Sequence, residues 1–273
     1  MTQAGPPNPL QAFIDYTTQA LNKLAFEQSR IRQSVAGLEA TEMLRRARRP
    51  MPDRPVRFRA QFGEDLLAWD LLGRPLEGFF IEVGAFDGDT LSVSAALEQM
   101  GWRGLLIEAN PDACAKCRAN RPLARVVHAA LAQPGAGEAI ELQVSGDGAA
   151  GVFSYTQSSP SHLALIAKHG LTTRSVRVPL TTMDALLAEH RGPIDLAVID
   201  VEGAEVPLLR GFDLHRFAPR LLIIEDNQGG QDPALTAHMQ AFPYTHVGSF
   251  YVNRVYVRND QREIFDRFAA MSR

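Results

Sequence analysis

The feature that most constrains this chain is a series of short, almost uninterrupted apolar runs, most of which close on a glycine or a carboxylate. Phe79-Phe80-Ile81-Glu82-Val83 stops at Gly84, Leu105-Leu106-Ile107 at Glu108, the run from Ile194 to Ile199 at Asp200, and Leu221-Leu222-Ile223-Ile224 at Glu225. Arg125-Val126-Val127-His128 is a further run of the same kind. Helical patterns over 90–100, 111–120, 182–190 and 203–211 separate most of them. Strands that are apolar on both sides need cover on both faces, and when helices join them the result is a parallel sheet. The pattern predicts an α/β, Rossmann-like, doubly wound and mostly parallel seven-stranded sheet. Tyr244–Val247 and Val255–Arg258 are expected to supply its antiparallel closing strands.

The rest of the chain divides around that sheet. Residues 1–49 read as an N-terminal helix, 50–57 as a linker, and 58–273 as the catalytic-type domain. In the helix, Ile14, Thr17, Leu21, Leu24, Gln28, Ile31, Val35 and Leu38 recur at alternating spacings of three and four, an a/d seam over four heptads. Gln28 falls at an a position, and Glu27 at g would meet Arg32 at the following e across a parallel pair. A homo-oligomer through residues 10–42 is therefore expected. Pro50, Pro52 and Pro55 disfavour helix before them and mark the linker. Residues 138–180 break the alternation. Glu138–Val144 and Ser175–Leu180 look like strands, and the Gly/Ser-rich segment between them is read as a lid carrying Phe153, Tyr155, His162 and His169.

Composition removes several classes. A formal net charge of −3 gives no electrostatic footprint for nucleic acid. No apolar run approaches the ~20 residues of a membrane span, and no basic-then-apolar leader is present at the start of the sequence, so a cytoplasmic location is expected. Cys114 and Cys117 have CxxC spacing, but a zinc site needs a second ligand pair and none is suitably spaced. Two packed thiols is the better reading.

The chemistry sits at the strand ends. In Glu82-Val83-Gly84-Ala85-Phe86-Asp87-Gly88, glycine just past a strand allows close approach to a ligand at the carboxyl edge of the sheet. Phe86 stands where a dinucleotide enzyme would have its second glycine, which leaves the turn poorly shaped for a pyrophosphate. Glu82 instead suits a ligand carrying an ammonium group, held directly or through water. Glu108, 24 residues after Gly84, can accept both hydroxyls of a ribose. Asp200, with Asp226 and Asn227 from the next strand end, offers hard oxygen ligands for magnesium or another divalent cation. Such an ion could orient an acceptor hydroxyl and lower its pKa.

Three blocks carry a family resemblance: Glu82 to Gly88; Gly101-Trp-Arg-Gly-Leu-Leu-Ile-Glu-Ala-Asn-Pro111; and Ile199-Asp-Val-Glu-Gly-Ala-Glu205 with Leu209-Arg-Gly211. From about Gln61 to Asn227 the chain resembles the FkbM methyltransferases. The resemblance implies a Rossmann-like fold, S-adenosyl-L-methionine as donor, and O-methylation of sugars or secondary metabolites. It implies cofactor contacts from Glu82, Gly84, Gly88 and Glu108, with Asp200 and Glu202 facing the reaction centre. Ala85, Phe86, Asp87, Ala109 and Asn110 complete the expected cofactor set. Many relatives carry Ser-Asn-Thr after the glycine turn, where this chain has Leu91-Ser92-Val93-Ser94. The set Asp200, Asp226 and Asn227 also resembles the metal site of catechol O-methyltransferases. For proton removal the candidates are Glu202, Glu205 and His238, while Asp200 is expected to serve catalysis through the ion and to belong to the cofactor set as well. The expected acceptor is a small molecule or glycan. Two rivals make other forecasts: a nicotinamide oxidoreductase, which needs the glycine that Phe86 replaces, and a non-catalytic coiled-coil assembly protein with a relic domain, which has no use for the acidic strand ends.

Overall fold

A computed structural model describes residues 9–145 and 173–271. Helix α1 (Pro9–Arg46) precedes α2 (Glu64–Leu71) and strand β1 (Phe79–Val83). Then come α3 (Ala95–Met100), β2 (Arg103–Glu108), α4 (Pro111–Asn120), β3 (Arg125–His128), β4 (Ala130–Leu131) and β5 (Ala139–Ser145). After the undescribed stretch follow β6 (Thr173–Thr181), α5 (Met183–Leu186), β7 (Leu196–Ile199), α6 (Glu205–Leu209) and β8 (Leu221–Glu225). The described chain ends with α7 (Pro233–Met239), β9 (Tyr244–Phe250), β10 (Asn253–Arg258) and α8 (Arg262–Met271). The main sheet has seven strands in the order β3-β2-β1-β7-β8-β10-β9. All neighbours are parallel except β10, which runs against both β8 and β9. This is the predicted sheet, closing strands included.

The apolar runs are continuous because both faces are covered. Phe80, Leu106, Val198, Ile223 and Val255 point into a core shared with α1, α2, α3 and α8, around Trp69 and Trp102. Their sequence neighbours Ile81, Leu105, Ala197, Leu222 and Ile224 point into a second core with Met183, Leu208, Phe212 and Met239. Alternate side chains thus feed opposite layers, as a period of two requires. Where the two expected strands of the 138–180 region lie, β5 and β6 pair antiparallel, and β4 joins β6 in a three-stranded sheet beside the main one. Phe153, Tyr155, His162 and His169 lie outside the described residues.

Helices α3, α5 and α6 are shorter than the sequence pattern suggests, and α2, α7 and α8 were not anticipated. Helices of one to three turns carry too few periodic positions to stand out, and tertiary packing supports them. The linker is docked on α1: Thr41 Oγ1 accepts the Val56 amide at 2.9 Å, and a Cβ on Gly37 would lie 2.2 Å from the Val56 carbonyl oxygen. The basic run is solvated, with Arg45 and Arg46 on Glu42 and Arg49 on Glu77. Cys114 and Cys117 are free and buried in α4, and burial pushes the Cys117 thiol up to about 12, as two packed thiols should behave. Among the described residues, no helix is long and apolar enough to cross a membrane.

The far edge of the site is pinned by a buried ion pair. Asp226, just past β8, lies 2.6 Å from Arg254 Nε of β10, with both side chains almost fully buried. Asp226 Oδ1 also accepts the Gln228 amide, and Oδ2 the Asp232 amide. Removing one partner of such a pair leaves an uncompensated buried charge. Arg254→Met is expected to cost about 3–5 kcal/mol, read as a lower urea midpoint at unchanged slope.

Candidate functional site

Three strand ends are stitched together by backbone alone. The Gly84 and Ala85 amides both donate to the Ile107 carbonyl, at 2.9 and 3.1 Å, and the Asp200 amide donates to the Val83 carbonyl at 3.1 Å. At Gly84 the backbone has φ +82°, and a Cβ there would sit 1.8 Å from the Asp200 carbonyl oxygen. No other residue fits. Phe86 follows in the left-handed region at φ 47°, which aims its amide at Glu108 Oε2, 2.7 Å away. The Asn110 amide takes Glu108 Oε1 at 2.6 Å. The Ala109 amide also donates to this carboxylate, which keeps part of its accepting capacity. Burial pushes the Glu108 carboxyl up to about 7, with those amides opposing the rise.

These ends form the floor of a cleft of about 210 Å³. Ile140, Leu142 and Leu180 of the small sheet make an apolar wall, and the loop from Val201 to Pro207 makes the opposite one. Gly84, Phe86, Glu108, Ala109, Asp200 and Glu202 all line it. Gly84, Glu108 and Asp200, from three different strand ends, thus face one cavity. An apolar wall, a carboxylate for vicinal hydroxyls and an acidic far end fit a nucleoside carrying positive charge.

The acidic end has distinct members. Asp200 opens into the cleft, yet enough protein surrounds it for desolvation to raise its carboxyl. Beside it is Glu225, which the sequence reading left out of the site. The register pairs Ile199 with Ile224, so the next residues, Asp200 and Glu225, fall side by side. Burial, then the neighbouring Asp200, pushes Glu225 up to about 10, and desolvation raises Asp200 as well. Glu202 sits in the left-handed region at φ 53°. Burial first, then the charges of Asp200 and Glu205, push it up to about 7.

Several candidates have other employment. Glu205 does not face the cleft: its Oε1 accepts the Val201 and Gly203 amides at 3.2 and 3.1 Å and braces the loop that presents Glu202. His238, on α7, lies against Phe242 and outside the cleft. Glu82 is turned away from the cleft and saturated. It accepts from the Val93 and Ser94 amides and from both the Ser92 and Ser94 hydroxyls, and it lies 3.9 Å from Arg121. It anchors the 87–94 loop instead of an ammonium group. Asp87 caps that loop through the Asp89 and Thr90 amides, and Gly88 packs against Arg121 and Cys117. Ala85 is buried in the core, and Asn110 caps α4 through the Asp112 and Ala113 amides. The metal set Asp200, Asp226 and Asn227 is not assembled. One residue beyond Glu225, Asp226 takes the opposite face of the strand and is consumed by Arg254. Among the described residues no three His, Cys, Asp or Glu side chains are grouped to hold an ion. The donor set does not fit a metal, and no step below uses one.

The family model described as the methyltransferase FkbM domain matches residues 82–247. Solved structures similar to the chain include the N-terminal domain of human METTL16 in complex with SAH, at 15% identity and TM-score 0.40, covering 81% of this chain and 79% of that one. A TehB-like SAM-dependent methyltransferase from Corynebacterium glutamicum aligns at 13% identity and TM-score 0.37, covering 80% and 93%. The C-terminal domain of precorrin-6Y C5,15-methyltransferase from Rhodobacter capsulatus aligns at 12% and 0.35, covering 72% and 88%. No curated protein matches by sequence.

Gly84→Ala forces a methyl group onto the Asp200 carbonyl and opens the cleft floor. Calorimetry with S-adenosylhomocysteine is expected to show affinity reduced at least tenfold, about 1.4 kcal/mol or more. Gly135→Ala brings the same kind of backbone strain, at φ +79°, but its Cβ meets nothing within 4 Å, and it should bind as the unaltered chain does.

Proposed function

The chain belongs to the FkbM methyltransferase family, and we propose that it transfers a methyl group from S-adenosylmethionine to a hydroxyl oxygen of a sugar, on a glycan or a natural product. The observation that carries this reading is the carboxylate Glu202, tuned to about 7 at the rim of a cleft whose floor carries Asp200 and Glu108. An alcohol is a poor nucleophile at neutral pH, and a base whose pKa is near the working pH is the most effective remedy.

Gly84, Phe86, Glu108 and Ala109 would hold the donor. When bound, the donor supplies an electrophilic methyl group on a sulfonium and leaves as a neutral thioether. The remaining work falls to the chain. Glu108 accepts from vicinal hydroxyls while the apolar wall takes a flat ring. Glu202 takes the proton of the acceptor hydroxyl as its oxygen forms the new bond. Asp200, beside Glu225, is the orienter: it accepts a hydrogen bond from the acceptor and places negative charge near the cationic end of the donor. A polyhydroxyl acceptor suits this surface, because ionised carboxylates only accept hydrogen bonds and a sugar offers several donors. The same charges repel a phosphodiester backbone, which disfavours a nucleic-acid substrate.

Glu202 acts as a base only when ionised. Its pKa is raised, so kcat is expected to rise with pH through about 7 and to level off above. Glu202→Gln is expected to lower kcat by about 10²–10⁴ and to remove that rise, with donor binding unchanged. The acceptor is tested by carrying labelled methyl from the donor into a panel of hydroxyl compounds. Label in a base-stable ether supports the proposal, and label only on nitrogen or in a base-labile ester overturns it.

A further inference from the structure

Helix α1 has two apolar faces, and the fold uses only one of them. The packed face is made of small residues near its C-terminal end: Ala36, Gly37 and Ala40, with Leu44, lie against Val56 and Phe58. Gln33 on the same face donates to the Ala60 carbonyl and to Asp65. The large aliphatic residues are on the other side. Leu21, Leu24, Ile31, Val35 and Leu38 are 61%, 61%, 65%, 50% and 63% exposed. With Gln28 they keep the spacing 3-4-3-4-3, while Gln33 and Ala40 fall at f, diametrically opposite the seam. From Leu21 to Gln28, every described side chain is exposed, so this stretch of helix buries little against its own domain. A helix standing in water with its bulkiest side chains bare is marginal by itself.

We propose that α1 pairs with α1 of a second copy of this chain as a parallel, in-register, two-stranded coiled coil. The seam is its own complement: a heptad stripe is the surface into which an identical stripe interlocks. The charges agree with the parallel direction. Glu27 at g, 56% exposed on its side chain, meets Arg32 at e of the other copy, and two-fold symmetry gives the pair twice. An antiparallel arrangement sets g against g and e against e, and so matches Glu27 with no such partner. Gln28 meets Gln28 across the axis, where paired amides fix the register. Five exposed aliphatic side chains from each copy remove roughly 1,000 Å² from water before flanking contacts are counted, which approaches the size of a specific interface. The domain packs mainly on the b, c and f positions; it also approaches the e side, where Ala25 and Arg32 with Gln28 face a pocket against Phe62 and Tyr251 and Glu39 pairs with Arg74, while Leu21, Leu24, Ile31, Val35 and Leu38 stay exposed.

Sedimentation of the full chain at tens of micromolar tests this. The expected mass is twice 30.0 kDa. Leu24→Asp with Ile31→Asp is expected to weaken association at least 100-fold and give the monomer. Tryptophan emission should be unchanged, because Trp69 and Trp102 are buried in the domain core and report its integrity. Gln28→Cys is expected to form an interchain disulfide under mild oxidation, since Cys114 and Cys117 are buried and do not compete. A monomer, a trimer, a dimer unmoved by the double substitution, or a dimer in which Gln28→Cys does not cross-link would each overturn the proposal.

Discussion

The approach of Gly84 to the Asp200 carbonyl is the contact on which the site depends. It exists because a residue without a side chain stands where β1 leaves the sheet, at φ +82°. With that gap closed, the ends of β1, β2 and β7 can share hydrogen bonds through Ile107 and Val83. Glu108 and Asp200 then arrive at one edge without any side chain reaching for another. The cleft is a product of sheet register, and its polar groups are placed as accurately as the strands that carry them.

That placement concentrates acid. Glu108, Asp200, Glu202, Glu205 and Glu225 all lie at or just behind one edge. Two charges 4 Å apart repel by about 4 kcal/mol at an effective dielectric near 20, so the fold needs a different solution for each group. Glu108 and Glu205 are held by backbone amides. Glu225 is pushed towards its neutral form by burial beside Asp200. Asp200 and Glu202 are left to the cleft, where a cation relieves them. In the proposed reaction, a cleft of this charge would favour the entry of a sulfonium and the departure of a thioether.

The strands were legible because burial on both faces leaves an unbroken apolar run, and their acidic ends followed directly. Glu225 was harder. Choosing between Glu225 and Asp226 requires the register between β7 and β8, which no single strand contains; a shift of one residue exchanges a partner of Asp200 for a partner of Arg254. Glu205 and His238 looked catalytic because composition does not disclose direction. A carboxylate two residues after a glycine turn can brace the turn as readily as face the substrate, and only the hydrogen bonds to Val201 and Gly203 decide. The short helices were missed for want of periods. In α1 the strong seam was seen, while the packed face went unread because alanine and glycine give little hydrophobic signal.

Glu82 shows how a familiar turn can be rewired from its surroundings. After the glycine turn this chain has Leu91-Ser92-Val93-Ser94. Both hydroxyls and two amides of that stretch converge on the Glu82 carboxylate. Arg121 closes the set by joining Ser92, Ser94 and the Gly88 carbonyl to Glu98. A buried carboxylate with this many donors has little capacity left for a ligand. Its contribution is rigidity: the network fixes the loop from Asp87 to Ser94 behind Phe86, and so fixes the amide that Phe86 gives to Glu108. The negative charge that meets a cationic ligand must then come from the other side of the cleft, where Asp200 and Glu202 stand. The glycine turn supplies shape and β7 supplies charge, a division that follows from one carboxylate being fully engaged.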